Sequence, residues 1–446
     1  MLKSLTHAIL KAAREEGAEE AEALAVRTSA TGIDVRAGKL EHAERAEDAE
    51  IGLRVLIGGR QASVSGVANH SDESIREMAR RAVAMARAAP VDDSLGLADP
   101  DQLARERDAS HLELFDPGAV PGPTDLEERA LQAEAAALAV KGVSTVESAN
   151  ASYTKQESWL ALSNGFEGGH QRSQHTTSCT AISGQGAGME RDHAGEGRIW
   201  AENMPTSEEI GQLAGERAIS RRGAVKPPTG SFPILYDERI SSGLMGHLLA
   251  AVNGTAIVRG ASWLRDAMDM QILPEELTLH ENPHIPRMFS SRVFDAEGLA
   301  TVPRDIVRDG VLQSWTLDLA TARKLGLHST ASAARGISGA PAPGVSNIVL
   351  TEGQHSRKDL IAQMGRGLIV TSFLGSSVNP TTGDYSRGAA GLWVENGQIS
   401  HPVNECTIAG NLGDMLLRII PANDAQNWRS ARVPSLLVEG MTVAGE

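Results

Sequence analysis

The sequence predicts an α+β protein in three segments. Two small helix–sheet–helix units, residues 1–110 and 111–225, precede a mostly antiparallel β domain over 226–446. Three observations carry this. Helical periodicity brackets strand-like alternation twice in the first half. Turn dipeptides of the two-residue hairpin kind, Gly58-Gly59, Asn164-Gly165 and Asn396-Gly397, separate strand-like runs. Beyond Lys226-Pro227-Pro228-Thr229-Gly230, glycine and proline become frequent and helical patterns rare.

Leu5, Ile9, Ala12 and Ala13 recur at helical spacing, so residues 3–16 read as a helix stopped at Gly17. Ala21 to Ser29 and Gly32 to Arg36 alternate as strands. Ile51 to Ile57 and Gln61 to Val67 form a hairpin about the two glycines. Ser74, with Glu77 three residues on, reads as a capping box for a helix whose apolar stripe is Ile75, Met78, Ala79, Ala82, Val83 and Ala86. Residues 90–123, with prolines at 90, 100, 117, 121 and 123, read as a linker or irregular crossover. The second unit opens with an alanine-rich helix from Thr124 to about Val140. Strands follow at Val143 to Tyr153, Glu157 to Ser163 and Phe166 to Ile182, with a glycine turn at Gly184, Gly186 and Gly188. A capping box at Thr206 and Glu209 starts a helix to about Arg222. The repeated order suggests duplication of one α+β unit without sequence identity.

In the third segment Phe232 to Tyr236 reads as a strand and Leu244 to Ala251 as a short helix. Further strand-like runs are Glu276 to His280, Gly310 to Leu317, Ser346 to Thr351 and Leu368 to Phe373. The stretch from Asn379 to Leu412 organises the rest. It sets four polar side chains, Asp384, Tyr385, Ser386 and Arg387, on a turn. Small residues from Gly388 to Gly391 allow close backbone approach. The strand Leu392-Trp393-Val394 turns at Asn396-Gly397 and returns from Gln398 to His401, where Pro402 stops it. A helix-like turn spans Ala409 to Arg418. The polar turn reads as a charged hairpin tip or as a substrate-facing loop on a rigid sheet.

Composition narrows the function. Hydrophobic residues make up 41% and charged residues 22%, the balance of a soluble globular protein. The net charge of −15 repels phosphate backbones, and 3% aromatics leaves little for base stacking, so direct nucleic-acid binding is not expected. The N-terminus lacks the apolar core of a signal peptide, and no run of about 18 apolar residues occurs. A cytoplasmic protein is expected. Cys179 and Cys406 lie far apart in no CxxC context and read as buried free thiols.

His280-Glu281-Asn282-Pro283-His284 matches HExxH letter for letter. That motif acts when a helix sets both imidazoles on one face with the glutamate as base. Here Pro283 removes an N–H and drives Asn282 out of the helical region. Upstream residues look like a strand, so an exposed strand end and turn is the expectation. His170 and His175, five apart on a strand, point to opposite faces and read as polar surface. The Gly184–Gly188 glycines lack the strand-to-helix context of a phosphate loop. Cys406 has no sequence-adjacent histidine beyond His401 to activate it.

Several blocks together resemble the TldD/PmbA family, and within it the PmbA (TldE) branch. They are Ser163-Asn164-Gly165-Phe166, Gly188 to Asp192, Gly246 to Ala251, Ser262-Trp263-Leu264, Phe294 to Gly298, Asp309 to Gln313, and the stretch from Gly383 to Leu412. The resemblance covers essentially the whole chain and is densest after residue 230.

The resemblance implies a heterodimeric zinc peptidase. A TldD-like partner carries HExxxH on a helix of its third domain, and the PmbA-like subunit lacks it. By pattern Gly246 stands at the first zinc histidine, His247 at the catalytic glutamate and Ala251 at the second histidine. Glycine and alanine have no donor atoms. No metal is therefore expected in this chain and no catalytic residue; zinc belongs to the partner. The implied role is degrading unfolded or small peptides and trimming leaders. Asp384, Tyr385, Ser386, Arg387 and His247 become candidates for substrate or partner contact, with Arg387 able to hold a carboxylate and extended peptide pairing on a sheet edge. A homodimer in the partner's absence stays open. Two other readings compete: an autonomous zinc protease through His280 and His284, and a regulatory binding module without proteolysis.

Overall fold

In the computed structural model, which describes residues 1–68 and 71–445, the first half builds a single six-stranded sheet. The first unit runs α1 (Leu2–Glu15), β1 (Glu20–Arg36), β2 (Lys39–Ile57), β3 (Arg60–Val67) and α2 (Asp72–Ala88). The second runs α3 (Pro123–Ala139), β4 (Val143–Leu162), β5 (Glu167–Ser183), β6 (Glu190–Arg198) and α4 (Ser207–Ser220). Both share the order helix, three strands, helix. The sheet order is β3-β2-β1-β4-β5-β6, so the units join through β1 and β4, antiparallel from Glu22↔Leu162 to Val35↔Ala149. The expected pair of separate sheets is thus one. β1 does not break between Ser29 and Gly32, because β2 and β4 pair with it along its length.

Turn chemistry holds at Gly58 and Gly59, whose φ values of 53° and 69° suit a tight hairpin. The cap of α2 is Ser71, whose side chain accepts from the Ser74 N–H, rather than Ser74 itself. Thr206 caps α4 with Glu209 reciprocating, as expected. The segment between α2 and α3 is irregular but not loose. Leu97, Leu112 and Leu114 are buried with Leu160, Phe166 and Phe294. Arg323, from the third segment, donates to the carbonyls of Ser94, Gly96 and Leu97 at 3.1, 2.9 and 2.8 Å.

The third segment continues β7 (Gly230–Tyr236), α5 (Glu238–Ala251), α6 (Gly254–Val258), β8 (Leu279–Glu281), β9 (Arg304–Arg308), β10 (Val311–Leu312), α7 (Leu319–Leu325), β11 (Ala333–Ala334), β12 (Ala342–Pro343) and β13 (Ile348–Leu350). Then come α8 (Arg357–Met364), β14 (Gly367–Val378), β15 (Asp384–Glu395), β16 (Gln398–Asn411), α9 (Leu412–Leu416), β17 (Ile419–Pro421), β18 (Ala431–Arg432) and β19 (Leu436–Ala444). Strands β16-β15-β14-β7-β19 are neighbours in turn, and β16 also pairs with β19, closing a five-stranded barrel. Its sheet is mixed, not mostly antiparallel. β14 runs parallel to β7 at Leu368↔Ile234 to Val370↔Tyr236, and β18 runs parallel to β13 in a second small sheet. A crossover of over a hundred residues between β7 and β14 permits the parallel pair. Ile234 and Tyr236 join one core, while Leu235 between them packs under α8 with Leu360 and Ile361. Both strands are therefore buried on two faces, as parallel strands are.

Small residues in β15 are required. A Cβ at Gly391 would sit 1.8 Å from the Ile369 carbonyl oxygen, and one at Gly388 2.7 Å from that of Leu374. The Asn396-Gly397 hairpin forms with both φ positive. β16 does not stop at Pro402, which pairs with Leu392 between two register shifts. A proline survives there because its carbonyl accepts from the Val225 N–H at 3.2 Å, so its nitrogen faces away from β15 and no donor is missing from that ladder.

One buried ion network ties the first unit to the third segment. Glu22 accepts from Arg54 at 2.7 Å and from Arg335 at 2.8 Å, all three side chains at most 4% exposed. Breaking such a cluster leaves buried cations uncompensated. Glu22→Ala is expected to lower unfolding stability by about 3–5 kcal/mol in chemical denaturation; a loss below about 1 kcal/mol would show the network to be dispensable.

Candidate functional site

Helix α5 starts at the Asp237 cap, whose carboxylate accepts from the Arg239 N–H. Ser241, Leu244, Met245, Leu248 and Ala251 form its buried side. The opposite side presents Gly243, Gly246 and Ala250, all exposed, with His247 half-buried beside them. A Cβ added at Gly243 or Gly246 would meet nothing within 4 Å. The helix therefore offers an open, nearly featureless floor with one imidazole.

That imidazole meets β15. The rings of His247 and Tyr385 lie edge to face, centroids 5.7 Å apart. Tyr385 is 3% exposed, and burial raises its phenol above the ordinary range. Tyr236 is fully buried beside it and donates its hydroxyl to Met441 Sδ at 3.4 Å, while the Arg387 charge partly offsets the rise of the Tyr385 phenol. The Arg387 guanidinium lies over the Phe373 ring at 4.1 Å, and its Nε donates to the Gly375 carbonyl at 3.1 Å. Burial first, then the Arg387 charge, lowers the His247 pKa from 6.5. The ring is neutral near pH 7 and can donate at one nitrogen and accept at the other.

Asp384 to Arg387 are not on a turn. They open strand β15, at the end opposite the Asn396-Gly397 tip, and alternate across it. Tyr385 and Arg387 join His247. Asp384 is exposed and braces the preceding loop, accepting from Thr382 at 2.6 Å and from the Asn411 side chain at 3.3 Å. Ser386 points to the other face. The sequence missed Tyr236 and Phe373, which complete the cluster; as apolar-run residues of strands they carried no signal except the fold.

The other sequence candidates are committed elsewhere. His280 is the middle residue of strand β8, and its Nδ1 lies 2.7 Å from Asp305. His284 Nε2 lies 3.1 Å from the Thr301 hydroxyl. Glu281 between them is buried rather than exposed. It takes two Arg304 bonds at 2.7 and 2.8 Å and accepts from the Ser346 N–H and hydroxyl. The motif is thus a strand end and turn, with each side chain engaged separately. His170 and His175 do point to opposite faces, but they are not both polar surface. His175 is 2% exposed, tilted against Tyr153 at 4.9 Å, with Nε2 3.5 Å from Asp116. His170 lines a cavity with Arg172, and burial pushes it down to about 3. Cys179 and Cys406 are buried free thiols pushed up to about 12 and 11, far from nucleophile chemistry. Gly184 to Gly188 is the turn joining β5 to β6.

Removal of a cation raises a neighbouring histidine's pKa. His247 should titrate below 6.5 by NMR, and Arg387→Gln should move it upward. On acidification the unfolded chain takes the proton first, so the neutral ring contributes stability above pH 6.5 that is lost below it. An unchanged His247 titration in the variant would remove Arg387 from its environment.

Comparison with known proteins follows the same outline. Profiles of the PmbA/TldA metallopeptidase match at residues 21–86 (domain 1), 116–222 (central domain) and 229–445 (C-terminal domain). The chain is 35% identical to "Metalloprotease PmbA" of Escherichia coli O157:H7, over 98% of this chain and 94% of that protein. A crystal structure of a putative modulator of DNA gyrase from Bacteroides thetaiotaomicron superimposes with a TM-score of 0.90 at 28% identity, covering 100% of this chain and 99% of the other. TldE from Thermococcus kodakarensis shares the fold, with a TM-score of 0.86 at 20% identity over 99% and 100% of the two chains. On these matches, spanning all three segments, the chain belongs to the PmbA/TldD family of metallopeptidases.

Proposed function

We propose that this chain is the non-catalytic subunit of a two-subunit peptidase of the TldD/TldE kind, acting in the cytoplasm on unfolded and small peptides, leader segments among them. The zinc that the family implies does not fit this chain. On the solvent side of α5 the donor set is one imidazole, flanked by glycine and alanine, and Tyr385 covers its edge. One neutral histidine does not hold a structural or catalytic zinc, which takes three or four protein ligands. Among the described residues, no group of three His, Cys, Asp or Glu side chains is arranged to hold an ion. The chemistry zinc supplies, an activated water and a polarised carbonyl, falls in this reading to a TldD-like partner.

This chain's own residues then bind and orient. The floor made by Gly243 and Gly246 lets a peptide backbone approach α5 closely. His247 offers a donor and an acceptor to that backbone, held in place by Tyr385. Arg387 is already stacked and bonded, so it steadies Phe373 and the end of β14 and has less freedom to seize a substrate carboxylate. Asp384, exposed at the start of β15, is the member of the quartet placed for partner contact. An autonomous protease through His280 and His284 gains nothing from the geometry, because the two rings serve different partners.

The carrying observation is the donor-poor face of α5. Co-expression with a TldD-like protein tests the reading. A stable one-to-one complex should cleave an unfolded peptide, while this chain alone should not. Cleavage by this chain alone, or failure of any complex to form, overturns it.

A further inference from the structure

Beside the first turn of α5 lies a cleft of about 1000 Å³, unrelated to the sequence candidates. Strands β5 and β6 and helix α4 form one wall; α5 and the far half of β14 form the other. Five arginines line it with three carboxylates, Glu147, Glu190 and Asp192, and at the start of α5 Asp237 and Glu238 pair with two of those arginines, Arg239 at 3.4 Å and Arg429 at 3.0 Å. Three of the arginines converge from two helices: Arg217 and Arg221 at the end of α4, and Arg239 at the start of α5.

Two features set the contacts of these guanidinium groups apart from closed ion pairs. The ion pairs are long. Arg239 reaches Asp192 at 3.3 Å and Asp237 at 3.4 Å, and Arg221 reaches Asp192 at 3.6 Å and Glu190 at 3.7 Å while donating to the Ser372 hydroxyl at 3.0 Å. Closed charge-assisted pairs run about 2.7–2.9 Å, and the buried Glu22 pairs of this protein reach 2.7 and 2.8 Å. Arg217 donates at 3.0 Å to the His193 carbonyl, and among the described residues no carboxylate lies within ion-pair distance of it. Burial, and then Arg239, push its guanidinium down from the usual range.

Helix stability does not account for the arrangement. Arg217 and Arg221 suit the negative end of α4, but Arg239 sits in the first turn of α5, at the positive end, where a cation is disfavoured. Apolar side chains complete the cleft. Ile240 and Phe373 line it, and Leu374 stands 67% exposed at its rim. β6 is a sheet edge, paired to β5 alone. Phe373 also carries Arg387 on its ring, so the cleft and the His247 cluster share a wall.

We propose that this cleft selects peptides by their carboxylates, with Arg217, Arg221 and Arg239 gripping a glutamate, aspartate or chain-terminal carboxylate and Phe373 and Leu374 taking the neighbouring apolar side chain. Planar guanidinium forks match carboxylates in geometry. A bound carboxylate gives Arg217 a direct ion-pair partner, beyond the more distant charges of Asp192, Asp237 and Glu238. The proposal rests on the peptide-handling reading and names the substrate class for it: acidic segments.

Binding to the isolated full-length chain tests it without a partner or any cleavage. A fluorescent unstructured peptide containing glutamates and one leucine is compared by anisotropy with its glutamine counterpart, at low salt. The acidic peptide should bind at least about tenfold more tightly, a factor within reach of one or two charge-assisted contacts. Arg217→Gln combined with Arg239→Gln should abolish the preference and leave the weaker glutamine-peptide affinity unchanged. Arg217→Lys should keep part of it, which separates charge loss from misfolding, and Arg45→Gln on the distant β2 edge should change nothing. Equal affinities for the two peptides, or a preference that survives in the double variant, overturn the proposal. Inorganic phosphate binding in the cleft without any discrimination between peptides overturns it too, as a simple anion site. None of these outcomes depends on complex formation, so the cleft and the subunit reading fail separately.

Discussion

Three residue pairs between β16 and β19, Thr407↔Ala444, Ile408↔Val443 and Ala409↔Thr442, convert an open mixed sheet into a closed barrel. The remaining geometry depends on that closure. A barrel has no free edge and cannot splay, so β14 and β15 keep a fixed spacing. Tyr385 is thereby held under the α5 imidazole, and Phe373 is held between the His247 cluster and the arginine cleft. Gly391, too tight against Ile369 for any side chain, is the local condition for β15 to fit.

Helix α5 is the consequence with most bearing on function. A glycine inside a helix costs roughly 0.5–1 kcal/mol relative to alanine, and α5 carries Gly243 and Gly246 on its exposed face, where nothing crowds them. Packing gives no reason for either. Its inner side, with Leu244, Met245 and Leu248 fully buried, is what keeps the helix formed. Selection for space over the helix accounts for the glycines better than selection for stability does. A peptide backbone lying along α5 would use that space, and the same helix begins with Arg239 in the cleft, so one element joins the two regions.

What the sequence made legible was local. The Gly58-Gly59 and Asn396-Gly397 hairpins followed from residues that adopt positive φ without strain, and Thr206 with Glu209 announced the start of α4. Small residues at Gly388 and Gly391 correctly implied close backbones. Long-range pairing was not legible. Continuous apolar runs at Ile234–Tyr236 and Leu368–Val370 do not encode direction, so a mixed barrel was read as antiparallel. Nothing in either unit signalled that β1 and β4 would merge two sheets into one. Pro402 was read as a stop because which side of the strand its nitrogen faces depends on the register with β15. Gly246 on the open face of α5 was legible with the family resemblance, but the burial of Ala251 on its inner side was not, and the cleft escaped notice because Asp192, Arg217, Arg239 and Phe373 come from four separate elements.

The most direct measurement of the central claim is anomalous scattering at the zinc edge from crystals of this chain in complex with a TldD-like partner. A single zinc peak within the partner, with no peak near α5 or strand β8 of this chain, is the predicted result. A peak at coordinating distance from His247, His280 or His284 would contradict it.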